Sequence, residues 1–134
     1  MTNISIINEK IKTAALKSGR NFSDITLLAA SKTRTVDEIV QAARSGVKVF
    51  GENYVQEFLQ KFEALEKYKE IIWHIIGRLQ KNKVKYIIGK VDLIHSVDDL
   101  ELAKVIQKHS AAKNVVSNVL IEVNLAEEKT KGGI

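Results

Sequence analysis

Short apolar runs alternate with amphipathic segments along almost the whole chain, and this alternation limits the possible folds more than any other feature. The first run, Ile25-Thr26-Leu27-Leu28-Ala29-Ala30-Ser31-Lys32, is nearly continuous and ends abruptly in polar residues, as a buried parallel strand does. Thr35 and Glu38 then form a capping-box pattern, and Val36, Ile39, Val40 and Ala43 repeat at helical spacing until Gly46. The cycle recurs, with strands expected over 47–50, 71–76, 92–97 and 118–125 and helices over 54–65, 79–88 and 98–109. An amphipathic helix over 4–16 precedes the first strand, carrying Ile4, Ile7, Ile11, Ala14 and Ala15 on one face. Five strands separated by four helices require parallel pairing with helical crossovers, in an open doubly wound sheet or in a barrel.

A chain of 134 residues has the size of one domain, and no segment has the composition of a linker. The fifth strand is followed only by the polar, glycine-containing stretch 126–134, without a helix of its own. A closed eight-stranded barrel takes about 250 residues, so a single incomplete domain over 1–134 is expected. The apolar run 71–76 is broken by His74 and is far shorter than the roughly 20 residues of a membrane span. Met1 to Lys10 lacks the pattern of a secretion signal, and a cytoplasmic location is expected. Zero cysteines remove disulfides, thiol catalysis and cysteine-ligated metals together.

The formal charge of +5 is modest, and one Trp, three Tyr and four Phe offer few stacking platforms. The densest basic segment, Arg78 to Lys85, reads first as a solvated helix face, next as a phosphate contact and only then as a nucleic-acid patch. No nucleic-acid or membrane partner is expected.

In either parallel architecture chemistry collects beyond the C-terminal ends of the strands. Those ends offer Ser31 and Lys32, then Gly51, Glu52 and Asn53, then Gly77, Arg78 and Gln80, then Ser96, then Asn124. Lys32 is the most informative. An apolar strand beneath it would desolvate the ammonium and favour the neutral amine, which can form a Schiff base with a carbonyl such as that of pyridoxal phosphate. A surface lysine at a strand exit is the plainer reading of the same residue. His74 alternates onto one face with Ile72 and Ile76, opposite Trp73 and Ile75, and suits a site wall or a hydrogen-bonded core position. His95 and His109 add no metal-ligand spacing, and the phosphate-loop patterns GxGxxG and GxxxxGK[ST] are absent. Asp98-Asp99 and Glu127-Glu128 read as a helix start and a solvated loop.

Leu28-Ala29-Ala30-Ser31-Lys32-Thr33, the stretch Phe50 to Glu57 (FGENYVQE), the stretch Trp73 to Lys83 (WHIIGRLQKNK) and Val119 to Ile134 closely resemble the pyridoxal-phosphate homeostasis protein family in order and spacing. The resemblance implies a (β/α)8 TIM-barrel fold of the alanine racemase type, of which about the first five βα units are present. It further implies pyridoxal 5'-phosphate as cofactor, held as a Schiff base on Lys32. Asn53 and His74 lie around the cofactor by the same resemblance, with Ala30 beneath it and Lys131 bordering the site. The implied role is pyridoxal-phosphate (vitamin B6) and amino-acid homeostasis without established turnover, with pyridoxal phosphate and apo enzymes that require it as partners. The alternative is a racemase-like enzyme, which needs a second acid/base on the opposite cofactor face.

Two departures stand out. Arg78 occupies a position where the family usually has proline or histidine, so the loop after the third strand is expected to differ locally. Family members also run well past 200 residues, and the segments that hold the cofactor phosphate belong to the part not matched here. The lysine is kept without the phosphate cup, so the chain alone is expected to bind weakly or not at all. An open edge at the fifth strand predicts aggregation or pairing with another chain.

Overall fold

The computed structural model describes residues 3–128, 130 and 132–134. Five parallel strands form one sheet: β1 (Leu28–Ala30), β2 (Val49–Glu52), β3 (Ile72–Ile75), β4 (Leu93–Val97) and β5 (Asn118–Ile121). Helix α1 (Asn3–Lys17) precedes the sheet, and α2 (Val36–Arg44), α3 (Val55–Ala64), α4 (Val84–Ile87) and α5 (Leu100–Ala112) connect successive strands.

Strand order decides between the two architectures that alternation left open. A doubly wound sheet reverses at a switch point and places its strands out of sequence. Here the order is β1-β2-β3-β4-β5, so each crossover steps in the same direction. Right-handed crossovers that all step one way put every connecting helix on the same face. This is the winding of a TIM-type barrel, with five of its strands present.

Register and period-two alternation then sort the side chains. Ala29 aligns with Phe50 and Phe50 with Trp73, while Ala30, Gly51 and His74 form the next row. Phe50, Trp73, Ile75 and Ile94 face the helices and are buried with Ile39, Phe58, Val84, Ile87, Leu102 and Ile106. Phe58 of α3 meets the Trp73 ring edge-on at 5.7 Å and the Phe62 ring at 5.4 Å. The opposite, inner face carries Gly51, His74 and Leu93, and Ile72 on it is 38% exposed.

The capping box expected at Thr35 and Glu38 is present: Thr35 Oγ1 accepts from the Glu38 amide at 3.2 Å and Glu38 accepts from the Thr35 amide at 2.8 Å. Three expectations are modified. The helix expected over 79–88 is a 3-10 turn (Lys81–Lys83) running into the single turn of α4. Its apolar residues Leu79, Val84, Ile87 and Ile88 are all buried, and Gly89, at φ +79°, ends it. Helix α1 buries only Ala15 fully, while Ile7 stays largely exposed, because the helix lies before the first strand instead of between two. The fifth strand stops at Ile121. Beyond it the Asn124 amide bonds the Ile134 carbonyl and the Ile134 amide bonds the Glu122 carbonyl, so the tail 132–134 folds back on the continuation of that strand. Val119, Leu120 and Ile121 remain exposed.

Truncating Phe58 to alanine removes a wholly buried ring that joins α3 to β3. The expected loss is about 3–5 kcal/mol, read from urea unfolding followed by Trp73 fluorescence.

Candidate functional site at the strand exits

The strand ends gather the polar residues at one rim. β1 stops at Ala30, and Lys32 lies two residues further on, in a turn. Its side chain is exposed and makes no hydrogen bond or ion pair among the described residues. The desolvation expected there is therefore not found, because the turn lifts the lysine clear of the apolar strand. The turn itself is tightly specified. Thr33 adopts φ +63°, a left-handed conformation that a β-branched residue resists. Its amide donates to Glu57 Oε1 at 2.6 Å, and the Ser31 carbonyl accepts from Lys61 Nζ at 2.7 Å.

Lys61 and Glu57 carry no assignment in the sequence reading, and Glu52 is named there only as a strand-end residue. Glu52 shares the alternation of Phe50 and so points to the helix layer, where its carboxylate meets Lys61 Nζ at 2.8 Å. Lys61 also binds Glu57 Oε1 at 2.6 Å, one helical turn away. That hydrogen bond, helped by the Thr33 amide, holds the Glu57 carboxyl below the usual carboxylate range against the opposing effect of burial. The Glu57/Lys61 spacing of four was a visible signal. The pairing with Glu52 was not visible, since it depends on how α3 packs against β2.

Asn53 is half-buried immediately after β2, and Gly77 follows β3 beside it. A Cβ on Gly77 would lie 2.6 Å from the Asn53 carbonyl oxygen and 2.7 Å from its Cα, so only glycine lets the two exits approach this closely. Ser96 Oγ donates to the Gly77 carbonyl at 2.6 Å and ties the β4 exit to the same point. His74 is buried on the inner face, with Nδ1 3.0 Å from Nε2 of His95 and Nε2 3.7 Å from Asp92 Oδ2. The sequence reading gave His95 little weight, and parallel register brings it to His74. Ala30 pairs with Gly51, and Gly51 with His74, in one row of the inner face. Lys131 lies outside the described residues. Arg78 is exposed and reaches Asp98 at 3.7 Å, and with Lys83, Gln80 and Asn53 it lines a groove of about 350 Å³ between the β2 and β3 exits. Among the described residues no helix is long and apolar enough to cross a membrane.

The arrangement is that of a parallel α/β barrel protein with a free lysine at the exit of its first strand and polar groups on the neighbouring exits. Sequence comparison identifies the family. The chain is 51% identical to the pyridoxal phosphate homeostasis protein of Aquifex aeolicus and 37% identical to that of Escherichia coli K12, in each case over 98% of its length and 57% of the relative's. It belongs to the pyridoxal phosphate homeostasis protein family and spans a little over half the length of these relatives. No family model matches it. A crystal structure of an unknown protein from Bifidobacterium adolescentis superposes with a TM-score of 0.88 at 35% identity, covering 97% of this chain and 56% of that one. PipY of Synechococcus elongatus, solved with PLP bound, superposes with a TM-score of 0.77 at 31% identity over 96% of this chain and 58% of that one.

Two outcomes test this geometry. Gly77→Ala should destabilise the chain by about 1–3 kcal/mol in urea unfolding, because the Asn53 backbone cannot yield without moving the exit. The second concerns pH. Both imidazoles are held below their usual value, chiefly by burial, and for His74 also by the charge of His95, with Asp92 opposing. A histidine with a depressed folded pKa contributes its full stability above the unfolded value of about 6.5 and loses it as pH falls from there through the folded value. The urea midpoint should therefore drop between about pH 7.5 and about pH 5.5, and His74→Gln should flatten that drop.

Proposed function

We propose that this chain carries the lysine-bearing part of a pyridoxal 5'-phosphate site, and that the protein binds the cofactor for vitamin B6 and amino-acid homeostasis in the cytoplasm. Lys32 is the attachment point: its amine condenses with the cofactor aldehyde to a Schiff base with loss of one water. The observation that carries the reading is the unpaired, exposed Lys32 at the first strand exit, in a chain whose structural neighbour PipY was solved with PLP bound.

The residues present suit the aldehyde and ring end of such a ligand. Ala30 and Gly51 leave the inner row low beside His74, and the space of a Gly51 Cβ is already taken by Leu28 Cδ2 at 2.8 Å and Ile76 Cδ1 at 2.9 Å. The result is an apolar floor on which a flat ring can rest. In this reading Asn53 and His74 supply hydrogen-bonding groups at the ring edge. Pyridoxal phosphate supplies the carbonyl and, when bound, an electron-withdrawing ring. The phosphate end is assigned to the part of the relatives that this chain does not span, so affinity in the chain alone should be low. Apo enzymes that need the cofactor are the proposed recipients.

The test is intact-mass spectrometry after incubation with pyridoxal phosphate and borohydride, with peptide mapping, on the chain and on Lys32→Ala. One adduct at Lys32, absent from the variant, is the expected result. Scattered labelling of several lysines, or none, would overturn the proposal that this chain carries a lysine site of its own.

A further inference from the structure

The buried charges behind Lys32 have no place in the cofactor reading, since they lie on the helix side of the sheet. Glu52 is fully buried and Lys61 is 6% exposed. Desolvating such a pair costs about as much as their attraction returns, so well-packed apolar residues would serve the core as well or better. The explanation must lie in what the charges hold.

Every donor of the Lys61 ammonium is used. It gives hydrogen bonds to the Ser31 carbonyl at 2.7 Å, to Glu52 Oε1 at 2.8 Å and to Glu57 Oε1 at 2.6 Å, and three is all that an ammonium on a side chain can give. The acceptors in turn grip the segment that bears Lys32. Ser31 Oγ donates to Glu52 Oε1 at 2.6 Å, and Glu57 Oε1 accepts from the Thr33 amide at 2.6 Å. Lys32 is therefore clamped on both flanks while its own side chain stays free. The clamp also holds Thr33 in its left-handed conformation, which a β-branched residue would otherwise leave. Residues from β2 and α3 thus set the direction in which the β1 exit projects its amine.

We infer that Lys61, with Glu52 and Glu57, is a positioning cluster for Lys32, fixing the Ser31–Thr33 turn so that the amine faces the cofactor. The inference rests on the reading of Lys32 given above. It assigns no contact between the cluster and the cofactor.

The test compares the 134-residue chain with Glu57→Ala, Glu57→Gln and the paired variant Glu52→Gln/Lys61→Met, which removes both buried charges together and so avoids stranding one of them. Each is scored for amide hydrogen exchange at Thr33, for the pyridoxal phosphate concentration giving half-maximal borohydride-trapped adduct at Lys32, and for its urea midpoint. In Glu57→Ala and in the paired variant, Thr33 exchange and the half-maximal concentration should each rise about tenfold or more, with labelling of the other lysines unchanged. Glu57→Gln keeps an oxygen that accepts from the Thr33 amide and should restore most of the capture. If Thr33 exchange rises while capture at Lys32 does not change, the cluster is structural only and the inference falls, leaving the cofactor reading intact. If the unaltered chain shows no adduct at Lys32, both fall together.

Discussion

Successive strands of the sheet hydrogen-bond to one another, always in parallel, and the rest of the molecule follows from that constraint. A parallel neighbour cannot be reached by a hairpin, so the chain must cross the whole sheet each time, and the crossover buries its apolar stripe by becoming a helix. Because every crossover steps in the same direction and parallel crossovers share one hand as a rule, one face is covered by helices and the other is left for the barrel interior. The C-terminal strand ends are thereby brought to one rim, where Gly77 packs against Asn53 and accepts from Ser96, and where the turn bearing Lys32 follows β1.

Alternation at that rim separates two kinds of chemistry. Residues in phase with Ala30, Gly51 and His74 face the inner side, where the ligand-facing groups collect. Residues in phase with Phe50, of which Glu52 is the last, face α3 and the buried ammonium of Lys61. The two sets alternate along a single stretch, Phe50 to Asn53, so one short segment serves the site on one side and its support on the other. The density of function in a few strand-end residues follows from the period of two. It also gives glycine at 51 and 77 a steric reason, since a side chain at either would meet neighbours closer than van der Waals contact allows.

Much of this was legible in the chain. The Thr35/Glu38 capping box, the strand cores at Leu28 to Ala30 and Ile72 to Ile75, and the outward Trp73 against the inward His74 all follow from local pattern, because capping and pleating act within a few residues. Lys32 was placed correctly at a strand exit, and of its two readings the surface lysine holds, but nothing in the spacing shows that the strand ends at Ala30. The short α4 was misjudged for a related reason. Leu79, Val84, Ile87 and Ile88 are buried by packing against their neighbours, and apolar spacing alone cannot distinguish one helical turn from three.

The sequence by itself determined the alternation of strands and helices, the polar residues at each strand end and, through FGENYVQE and WHIIGRLQKNK, the family. Only the tertiary structure decided that the sheet winds sequentially, that His95 lies against His74, and that Lys61 reaches from α3 to the turn bearing Lys32. The division has one physical cause. Local pattern reports which face of an element prefers to be buried, whereas register and crossover direction fix which faces meet, and those arise only when separate elements pack together.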